Sequence, residues 1–543
     1  MRPQPSVSLP AAAAGGLAAG AAALGAGELV GGVRSAWQSP VVAVAEAVID
    51  RVPRAVKDFA IETFGKDDKV ALVVGILAVS VVFAAVLGVV ARRRVRLAGS
   101  GFAAFAAVGV WASQQAVSAP LTAIVPSIAA GLAGVGSLWY LFGRAAPEPA
   151  VAGVPLSDGQ PAPADDPLSD VQPTMAGLAG TGSRRSFLLA SAGLAVGAAA
   201  LAGGGRALRT RFSAAASRAA VRLPIARNRL PPAAVATGDP GVSPFFTPND
   251  RFYRVDTALT VPQVRAEGWQ LRIHGLVDRE LRLSFDDLLA RDVVEDDITL
   301  TCVSNTVGGD LLGTARWLGV PLGGLLAEAG VQAGATQVVG RSVDGYTCGF
   351  PLESLDGRPA LVAFGMNGDP LPLQHGFPAR LSVSGLYGYV SATKWLTEIE
   401  LTTFDAFDQY WVRRGWDERA PIKTMARIDT PRTLATLEPG TNVIGGVAWA
   451  QTRGISKVEV AIDGDDFAVA QLADELNTHT WRQWSFPWNA TPGRHRITVR
   501  ATDGTGSLQT DQRAEPFPNG ASGWMSIFVD VLPNPSTNQR TAP

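Results

Sequence analysis

The sequence predicts a multi-domain protein with an apolar helical N-terminal region, a central α+β domain and a C-terminal β-sandwich of immunoglobulin type. Three observations lead to this prediction. The 543 residues are enough for several domains. The long apolar runs lie before residue 205, and short strand-like segments separated by turns follow residue 441. Charged residues make up 17% of the chain, below the roughly 25% of ordinary soluble proteins, so part of the protein is expected in lipid.

Five apolar segments predict membrane spans. They are residues 9–33, 70–91, 98–118, 120–143 and 187–204. The second has 22 residues without a charge and would reach roughly 33 Å as a helix, which is enough for a bilayer core. The first is rich in Ala and Gly and contains Glu28, so a re-entrant or interfacial helix stays open for it. Residues 1–143 therefore hold four candidate spans, and residues 183–205 hold a fifth.

Arginines predict the orientation of these segments. Arg92, Arg93, Arg94 and Arg96 follow the second segment, and the positive-inside rule keeps such a cluster in the cytoplasm. Counting spans from there, residues 144–182 form a cytoplasmic linker. Its Pro, Asp and Ala content predicts disorder. The chain is thus expected to be a multi-pass protein of the cell membrane, with everything after the fifth span outside the cytoplasm.

The fifth apolar segment is preceded by a paired-arginine motif. Residues 183–188 read S-R-R-S-F-L, an order typical of a twin-arginine export signal. A positive flank of an ordinary span is the alternative. The twin-arginine route exports folded proteins, so it favours a cofactor-containing enzyme outside the cytoplasm.

Charge and histidine counts exclude several functions. The net charge of -1 removes the electrostatic basis for nucleic-acid binding. His274, His375, His479 and His495 all follow the fifth segment. No haem is expected in the membrane region, because no histidine pair is available there as axial ligands. Electrons would then leave through a separate electron-transfer protein or carrier.

Residues 298–310, ITLTCVSNTVGGD, contain the main candidate for chemistry. An apolar, β-branched strand runs into Cys302 and then a Gly-Gly turn, which places the thiol where a ligand can approach. A buried structural cysteine is the alternative. Cys348, within TCGF, is expected to be buried and inert, and a disulfide between the two cysteines stays open from the residues alone.

Several motifs around and beyond Cys302 occur in the order of one known family. They are TCVSN, GGDLLGTARWLGVPL, SVDGYT, NGDPLPLQHGFPARL and GLYGYVSATKWL, then GGVAWA, ISKVEVAIDG, WRQWSFPW, RATDGTGSLQ and PNGASGW. This arrangement resembles the sulfite oxidase family of molybdopterin enzymes, over about residues 240–532. The resemblance implies a molybdopterin-binding catalytic domain at 206–430. It also implies an immunoglobulin-like β-sandwich with a tail at 431–543, through which the chain would form a homodimer.

The resemblance also implies a set of site residues. Cys302 would be the thiolate ligand of a molybdenum carried by molybdopterin in its mononucleotide form, because soft sulfur suits a metal that changes oxidation state. The implied cofactor-contacting residues are Asn249, Phe252, Tyr253, Arg254, Asp344, His375, Arg380, Ser391, Ala392 and Thr393. His375 and Arg380 would hold the pterin and its phosphate, and residues 391–393 would form a backbone loop on that phosphate. The alternatives are core aromatics for Phe252 and Tyr253, a turn histidine for His375 and a solvated strand residue for Arg380.

The chain departs from the family where the substrate would bind. Family members carry adjacent arginines after the cysteine, but Thr306 and Val307 stand here, and Ser391 replaces a basic residue. We therefore expect a membrane-anchored molybdenum oxidoreductase that transfers an oxygen atom to or from a small neutral molecule, such as a sulfoxide, rather than mainly oxidising sulfite. The alternatives are a sulfite dehydrogenase proper, a non-catalytic membrane-tethered binding protein, and a thiol hydrolase using Cys302 and His375.

Overall fold

The computed structural model describes residues 7–53, 68–115, 119–143, 184–232 and 237–533, together with positions 56, 59, 63 and 64. It divides the chain into two compact units, Met1–Phe212 and Ser213–Pro543. The predicted linker at 144–182 and the first residue of the paired-arginine motif lie outside the described residues.

The N-terminal unit is helical. Its α-helices are α1 (Leu9–Gly31), α2 (Pro40–Arg51), α3 (Asp68–Ser113), α4 (Val125–Phe142) and α5 (Arg184–Thr210), with a 3-10 turn at Leu121–Ile124. Judged by length and composition, four helical segments are able to cross a membrane: Leu9–Gly31, Lys69–Ser113, Leu121–Phe142 and Ser186–Ala220. The longest contains the second apolar segment found in the sequence and most of the third.

Helix α3 turns back on itself. The backbone leaves the helical region at Arg94, with φ -144° and ψ 69°. The rings of Phe83 and Phe105 stack with their centroids 5.7 Å apart, and Leu87 packs against Gly101. In a straight helix Phe83 and Phe105 would be about 33 Å apart. The second and third segments are therefore antiparallel halves of one hairpin, with the arginine cluster at its bend.

Small residues allow α1 to pack closely on its neighbours. A Cβ atom added to Gly16 of α1 would lie 2.6 Å from the Gly88 Cα of α3, and one added to Gly25 would lie 3.0 Å from the Ala198 Cα of α5. Such close backbone approach is a common way for apolar helices to associate. The Ala and Gly content of the first segment thus serves helix packing inside this unit.

The C-terminal unit begins with α6 (Ala215–Ala220) and continues into an α+β part. Its strands and helices are β1 (Gln270–Gly275), β2 (Leu281–Ser284), α7 (Phe285–Leu289), β3 (Val294–Thr301), β4 (Leu312–Pro321), α8 (Leu322–Ala329), β5 (Gln337–Ser342), β6 (Thr347–Pro351), β7 (Ala360–Met366), β8 (Asp369–Pro370), β9 (Arg380–Val383), α9 (Gly388–Ser391) and β10 (Leu396–Thr402). One sheet has the order β2-β1-β10-β5-β6, and the other has the order β3-β4-β7-β8 with β9 paired to β7. The α+β prediction is confirmed.

The local sequence explains the first strand pair and its helix. β1 and β2 form an antiparallel pair, and β1 is also parallel to β10. Ser284 ends β2 and caps α7, because its hydroxyl accepts the Asp287 backbone N–H at 3.1 Å while Asp287 accepts the Ser284 N–H at 2.8 Å. This reciprocal cap satisfies donors that the first turn leaves unpaired. The hydrogen bonds of Ser284 and Asp287 therefore fix the point where β2 passes into α7.

The last part of the chain is β-rich. Its strands are β11 (Met425–Thr430), β12 (Thr436–Leu437), β13 (Gly440–Trp449), β14 (Ile455–Ile462), β15 (Ala468–Val469), β16 (Gln471–Leu472), β17 (Arg482–Ala490), β18 (Gly493–Asp503) and β19 (Met525–Val531). They form two sheets, ordered β11-β13-β17-β16 and β12-β19-β18-β14-β15, with Ile444, Trp484 and Val499 in a shared core. The predicted strand-rich region is present, and the immunoglobulin type stays a prediction. β11 lies before the predicted domain boundary at 430/431, but it pairs with β13 of the β-rich part.

Candidate active site

A cavity in the C-terminal unit brings most of the predicted site residues together. It has about 910 Å³ of empty space, including its open mouth. The predicted residues in its wall are Phe252, Tyr253, Cys302, Asp344, His375, Arg380 and Ala392. They come from the segment before β1, the ends of β3 and β5, the turn before β9, β9 itself and the end of α9. Residues far apart in the chain thus share one wall.

Cys302 lies directly after β3. Its backbone N–H donates to the Leu311 carbonyl at 2.9 Å, and its own carbonyl accepts from the Asn305 N–H at 3.1 Å, so the strand end is tied on both sides of the turn. The side chain is largely buried and borders the cavity. Burial raises the pKa of the Cys302 thiol, although Lys394 opposes this shift. A thiolate here therefore requires a compensating cation, which a bound metal supplies.

His375 is a neutral side chain at the base of the cavity. It ends a short 3-10 turn, Leu373–His375, and its Nε2 lies 3.1 Å from the Asn249 carbonyl oxygen. Because a carbonyl only accepts, Nε2 carries the proton. Burial, together with the nearby Arg380 charge, lowers the pKa of His375 to about 4. At neutral pH the ring therefore acts as an uncharged hydrogen-bonding group.

Arg380 is a buried cation with spare donors. It is 5% exposed, its Nη1 donates to the His375 carbonyl at 3.2 Å, and its guanidinium lies 4.8 Å from the Trp317 ring centroid. Among the described residues its buried Nε has no hydrogen-bond partner. Burial lowers the pKa of Arg380 to about 10, so it is still charged at neutral pH. A buried guanidinium in this state calls for an anion in the cavity.

Lys394 is the second cation of the cavity wall. Its Nζ donates to the Asp256 carboxylate at 2.8 Å and to the Val255 carbonyl at 3.1 Å. Burial lowers the pKa of Lys394 to about 8, against the opposing effect of Asp256. Arg254 also pairs with Asp256, at 2.8 Å, but its side chain is exposed and does not line the cavity. Lys394 is thus internally neutralised, whereas Arg380 is not.

Three other predicted residues lie behind the wall rather than in it. The Asn249 side chain donates to the Met366 carbonyl at 3.2 Å, while its own carbonyl receives His375. The Ser391 hydroxyl bonds within its own turn, 3.1 Å from the Leu386 carbonyl. The Thr393 hydroxyl contacts the Cys348 sulfur at 2.7 Å. These side chains support the wall.

The two cysteines have different surroundings. Both are free. Cys348 is fully buried, and burial raises the pKa of its thiol to about 11, which confirms the expected buried position. Cys302 differs in facing the cavity, and no disulfide joins the pair.

Comparison with known proteins identifies the fold family around this cavity. A family model described as an oxidoreductase molybdopterin binding domain matches residues 258–411. The uncharacterized oxidoreductase YuiH of Bacillus subtilis is 34% identical over 151 residues, which cover 28% of this chain and 73% of the relative. The mitochondrial sulfite oxidase of Homo sapiens is 28% identical over 343 residues, which cover 53% of this chain and 62% of the relative. The chain belongs to the sulfite oxidase family of molybdopterin oxidoreductases.

Two further comparisons set the extent of this relationship. Mitochondrial sulfite oxidase of Macaca fascicularis is 29% identical, again over 53% of this chain and 62% of the relative. The chain thus spans about three fifths of the length of these curated relatives. Among solved structures, the sulfane dehydrogenase SoxCD from Paracoccus pantotrophus is 21% identical and covers 53% of this chain and 82% of that chain, with a TM-score of 0.48.

The cavity residues of this sulfite oxidase family member fit a molybdenum–molybdopterin cofactor. The unpartnered Arg380 Nε offers a buried donor to an anionic group, and the Cys302 sulfur offers a soft ligand on the same wall. Within the described residues, no group of three or more His, Cys, Asp or Glu side chains stands ready to hold a metal ion.

Some residues of the cavity wall were not predicted from the sequence. The residues that were expected to distinguish the substrate side from that of other family members lie outside the wall. Lys394, Trp411 and Trp416 line the cavity, but only the Lys394-Trp395 motif hinted at this. Thr306 is exposed on the turn after Cys302, and neither it nor Val307 borders the cavity. Thr306 and Val307 thus do not contribute to the wall directly, and the expectation of a more neutral substrate pocket stays a prediction. The charged side chains of the wall are Arg380, Asp344 and the Lys394–Asp256 pair.

Proposed function

We propose that this chain is a membrane-anchored molybdenum oxidoreductase that transfers an oxygen atom, with two electrons, to or from a small neutral molecule outside the cytoplasm. The observation that carries the proposal is the juxtaposition of Cys302, His375 and Arg380 on one cavity wall. When bound, molybdenum held by the pterin supplies the coupled redox and oxygen-transfer chemistry.

The protein residues divide the remaining tasks. Cys302 provides the thiolate and, with Tyr253 beside it, closes one side of the cavity. Arg380 binds an anionic group of the mononucleotide cofactor. The neutral His375 donates its Nε2 proton to the Asn249 carbonyl, which leaves Nδ1 as a hydrogen-bond acceptor for the cofactor without adding charge. Ala392 borders the cavity, where its backbone suits the phosphate.

The wall favours a neutral substrate over sulfite. Among the residues that line the cavity, Arg380 and Lys394 are the Arg and Lys side chains. We assign Arg380 to the cofactor, and Lys394 is paired with Asp256 at 2.8 Å. Trp411, Trp416 and Tyr389 contribute aromatic surface, which binds the apolar body of an organic molecule. A small dianion would lack the fixed cations that compensate its desolvation.

The N-terminal helices and the C-terminal β-rich region bear on the proposed location and partners of this reaction. Four apolar helical segments support a membrane anchor, and the arginine cluster at the α3 bend supports a cytoplasmic bend with the C-terminal unit outside. The histidines all follow residue 205, which supports electron exit through a separate protein or carrier rather than a haem in the membrane unit. We place a homodimer contact in the β-rich region from Met425, as the family resemblance implies.

A substrate panel tests the proposed reaction. The purified full chain is assayed against sulfite with an oxidised dye as electron acceptor, and against dimethyl sulfoxide and an aryl methyl sulfoxide with a reduced dye as electron donor. The Cys302→Ser variant is the control in both assays. We expect at least about tenfold higher kcat/KM for a sulfoxide than for sulfite, corresponding to one lost charged contact of about 1.5 kcal/mol. Sulfite oxidation should also weaken strongly with salt. Efficient, salt-insensitive sulfite oxidation would instead make the chain a sulfite dehydrogenase.

A further inference from the structure

The strand that leads to Cys302 lies at the edge of its sheet. β3 pairs with β4 along its whole length, from Val294↔Gly319 to Thr301↔Leu312. Among the strands that the structure describes, the sheet order β3-β4-β7-β8 places none on the opposite edge of β3. An unpaired strand edge leaves backbone donors and acceptors to be satisfied by other groups.

Residues of the C-terminal β-rich part satisfy this edge. The Thr299 N–H donates to the His479 carbonyl at 3.0 Å, and the Trp481 N–H donates to the Thr299 hydroxyl at 2.8 Å. Gln451 Nε2 donates to the Thr299 carbonyl at 3.1 Å and to the Thr301 hydroxyl at 3.2 Å. Thr299 and Gln451 are fully buried, and Thr301 is nearly so. The same strand is therefore held by the sheet on one edge and by another part of the unit on the other.

Gln451 is the contact nearest to the cavity. It follows β13, and its partner Thr301 immediately precedes Cys302. Its own Oε1 is buried without a hydrogen-bond partner among the described residues. Among the described residues, the hydrogen bonds of this side-chain amide go only to residues of β3. These hydrogen bonds restrain the end of β3 along the edge that is not paired with β4.

We propose that Gln451 is a positioning residue, which holds the end of β3 so that the Cys302 sulfur stays at its place in the cavity wall. Its catalytic meaning rests on the proposed role of Cys302 as the molybdenum ligand. The restraint of Gln451 on β3 does not depend on that proposed role, because it acts within the chain itself. The C-terminal β-rich part thus contributes to the active site by fixing a ligand of the cofactor.

Hydrogen exchange measured by mass spectrometry on the full chain tests this role. Gln451→Leu removes both donations at similar volume. Gln509→Leu is the matched control, since Gln509 is also buried but bonds to the Gly523 carbonyl and the Ala501 N–H, away from β3. We expect exchange at the end of β3 to rise by about tenfold in Gln451→Leu only, through local opening of the strand end. Molybdenum bound per chain should fall in that variant as well.

A second pair of variants covers the case in which Gln451→Leu does not fold. Thr301→Val removes the hydroxyl that Gln451 contacts at nearly unchanged shape, and Thr301→Ser retains it. Thr301→Val should raise exchange at the strand end by about threefold, with Thr301→Ser behaving as the wild type. Equal exchange in Gln451→Leu and Gln509→Leu, or in the two Thr301 variants, would overturn the positioning role. A chain that binds no molybdenum but shows the exchange effect would overturn only the proposed function.

Discussion

At the scale of single residues, burial decides the charge of each group around the cavity. It raises the pKa of the Cys302 thiol, lowers that of His375 to about 4 and leaves Arg380 charged without a carboxylate partner. The Cys302 thiol needs a nearby cation in order to ionise, and the Arg380 guanidinium needs an anion to balance its charge. A metal bound together with an anionic cofactor would provide both.

The two cysteines provide the first test at this scale. Cys302→Ser should keep the fold and much of the pterin, but activity should fall by more than about a hundredfold, because a hydroxyl is a poor ligand for a soft metal site. Cys348→Ser is the matched control, since that side chain is buried and bonded to Thr393. Steady-state assays and pterin fluorescence measure the two effects. Full activity in Cys302→Ser would remove the ligand assignment.

His375 predicts a pH dependence of stability. The unfolded chain takes up this proton near pH 6.5, but the folded chain does so only at about 4. The contribution of neutral His375 to the free energy of unfolding is therefore complete above pH 6.5. It is lost as the pH falls towards 4, and the loss is at most about 3 kcal/mol. Asp296 acts oppositely over part of this range, because burial raises its pKa to about 6.

A variant isolates the histidine term from the aspartate term. His375→Gln keeps a neutral donor for the Asn249 carbonyl and removes the titration. Thermal unfolding of the wild type and of this variant is compared from pH 7 to pH 4.5. The variant should lose less stability over this range than the wild type. Parallel curves for the two proteins would show that His375 is not held neutral by the fold.

At the scale of elements, close backbone contacts and bends give the N-terminal helices their arrangement. The α3 hairpin brings Phe83 onto Phe105, and α1 meets α3 at Gly16 and Gly88. A side chain at either glycine would collide with the facing backbone, which cannot move as a flexible side chain can. Apolar composition alone therefore does not determine which helix faces are in contact.

Gly88 and Gly75 form a matched pair for testing this contact. Both lie in α3, but a Cβ atom at Gly88 would meet the backbone of Ala12 and Gly16, whereas one at Gly75 meets nothing within 4 Å. Gly88→Ala should destabilise the unit by about 1–3 kcal/mol. Gly75→Ala should be neutral or gain up to about 1 kcal/mol from helix propensity. Unfolding in detergent measures both, and equal effects would contradict the packing shown by α1 and α3.

At the scale of the whole molecule, the proposed topology links the helical unit to the site of catalysis. A phosphatase reporter fused after residue 165 should be inactive, and one fused after residue 240 should be active outside the cytoplasm. Changing Arg184 and Arg185 to Lys should leave the second reporter inside. Export that continues unchanged would contradict the twin-arginine interpretation, while the anchor itself would still stand.

Much of the architecture follows from local patterns. Alternating strands and their turns predict the β-rich C-terminal part, and the Ser284 and Asp287 cap predicts where α7 begins. The pairing of β11 with β13 did not follow from local patterns, because β11 joins its sheet through a partner that comes later in the chain. Local sequence contains no direct signal for such pairing.

The sequence by itself determined the family motifs, the apolar segments and the choice of Cys302 as the candidate metal ligand, because these depend on residue type and short-range order. Only the tertiary structure decided that Lys394 and the tryptophans at 411 and 416 share the wall with Cys302, and that Thr306 is exposed and does not border the cavity. It likewise decided that the buried Arg380 Nε has no hydrogen-bond partner among the described residues. It also decided that Gln451 restrains the strand before Cys302. The physical reason is that burial and pairing depend on which distant segments meet, and this sets the charge and freedom of each side chain.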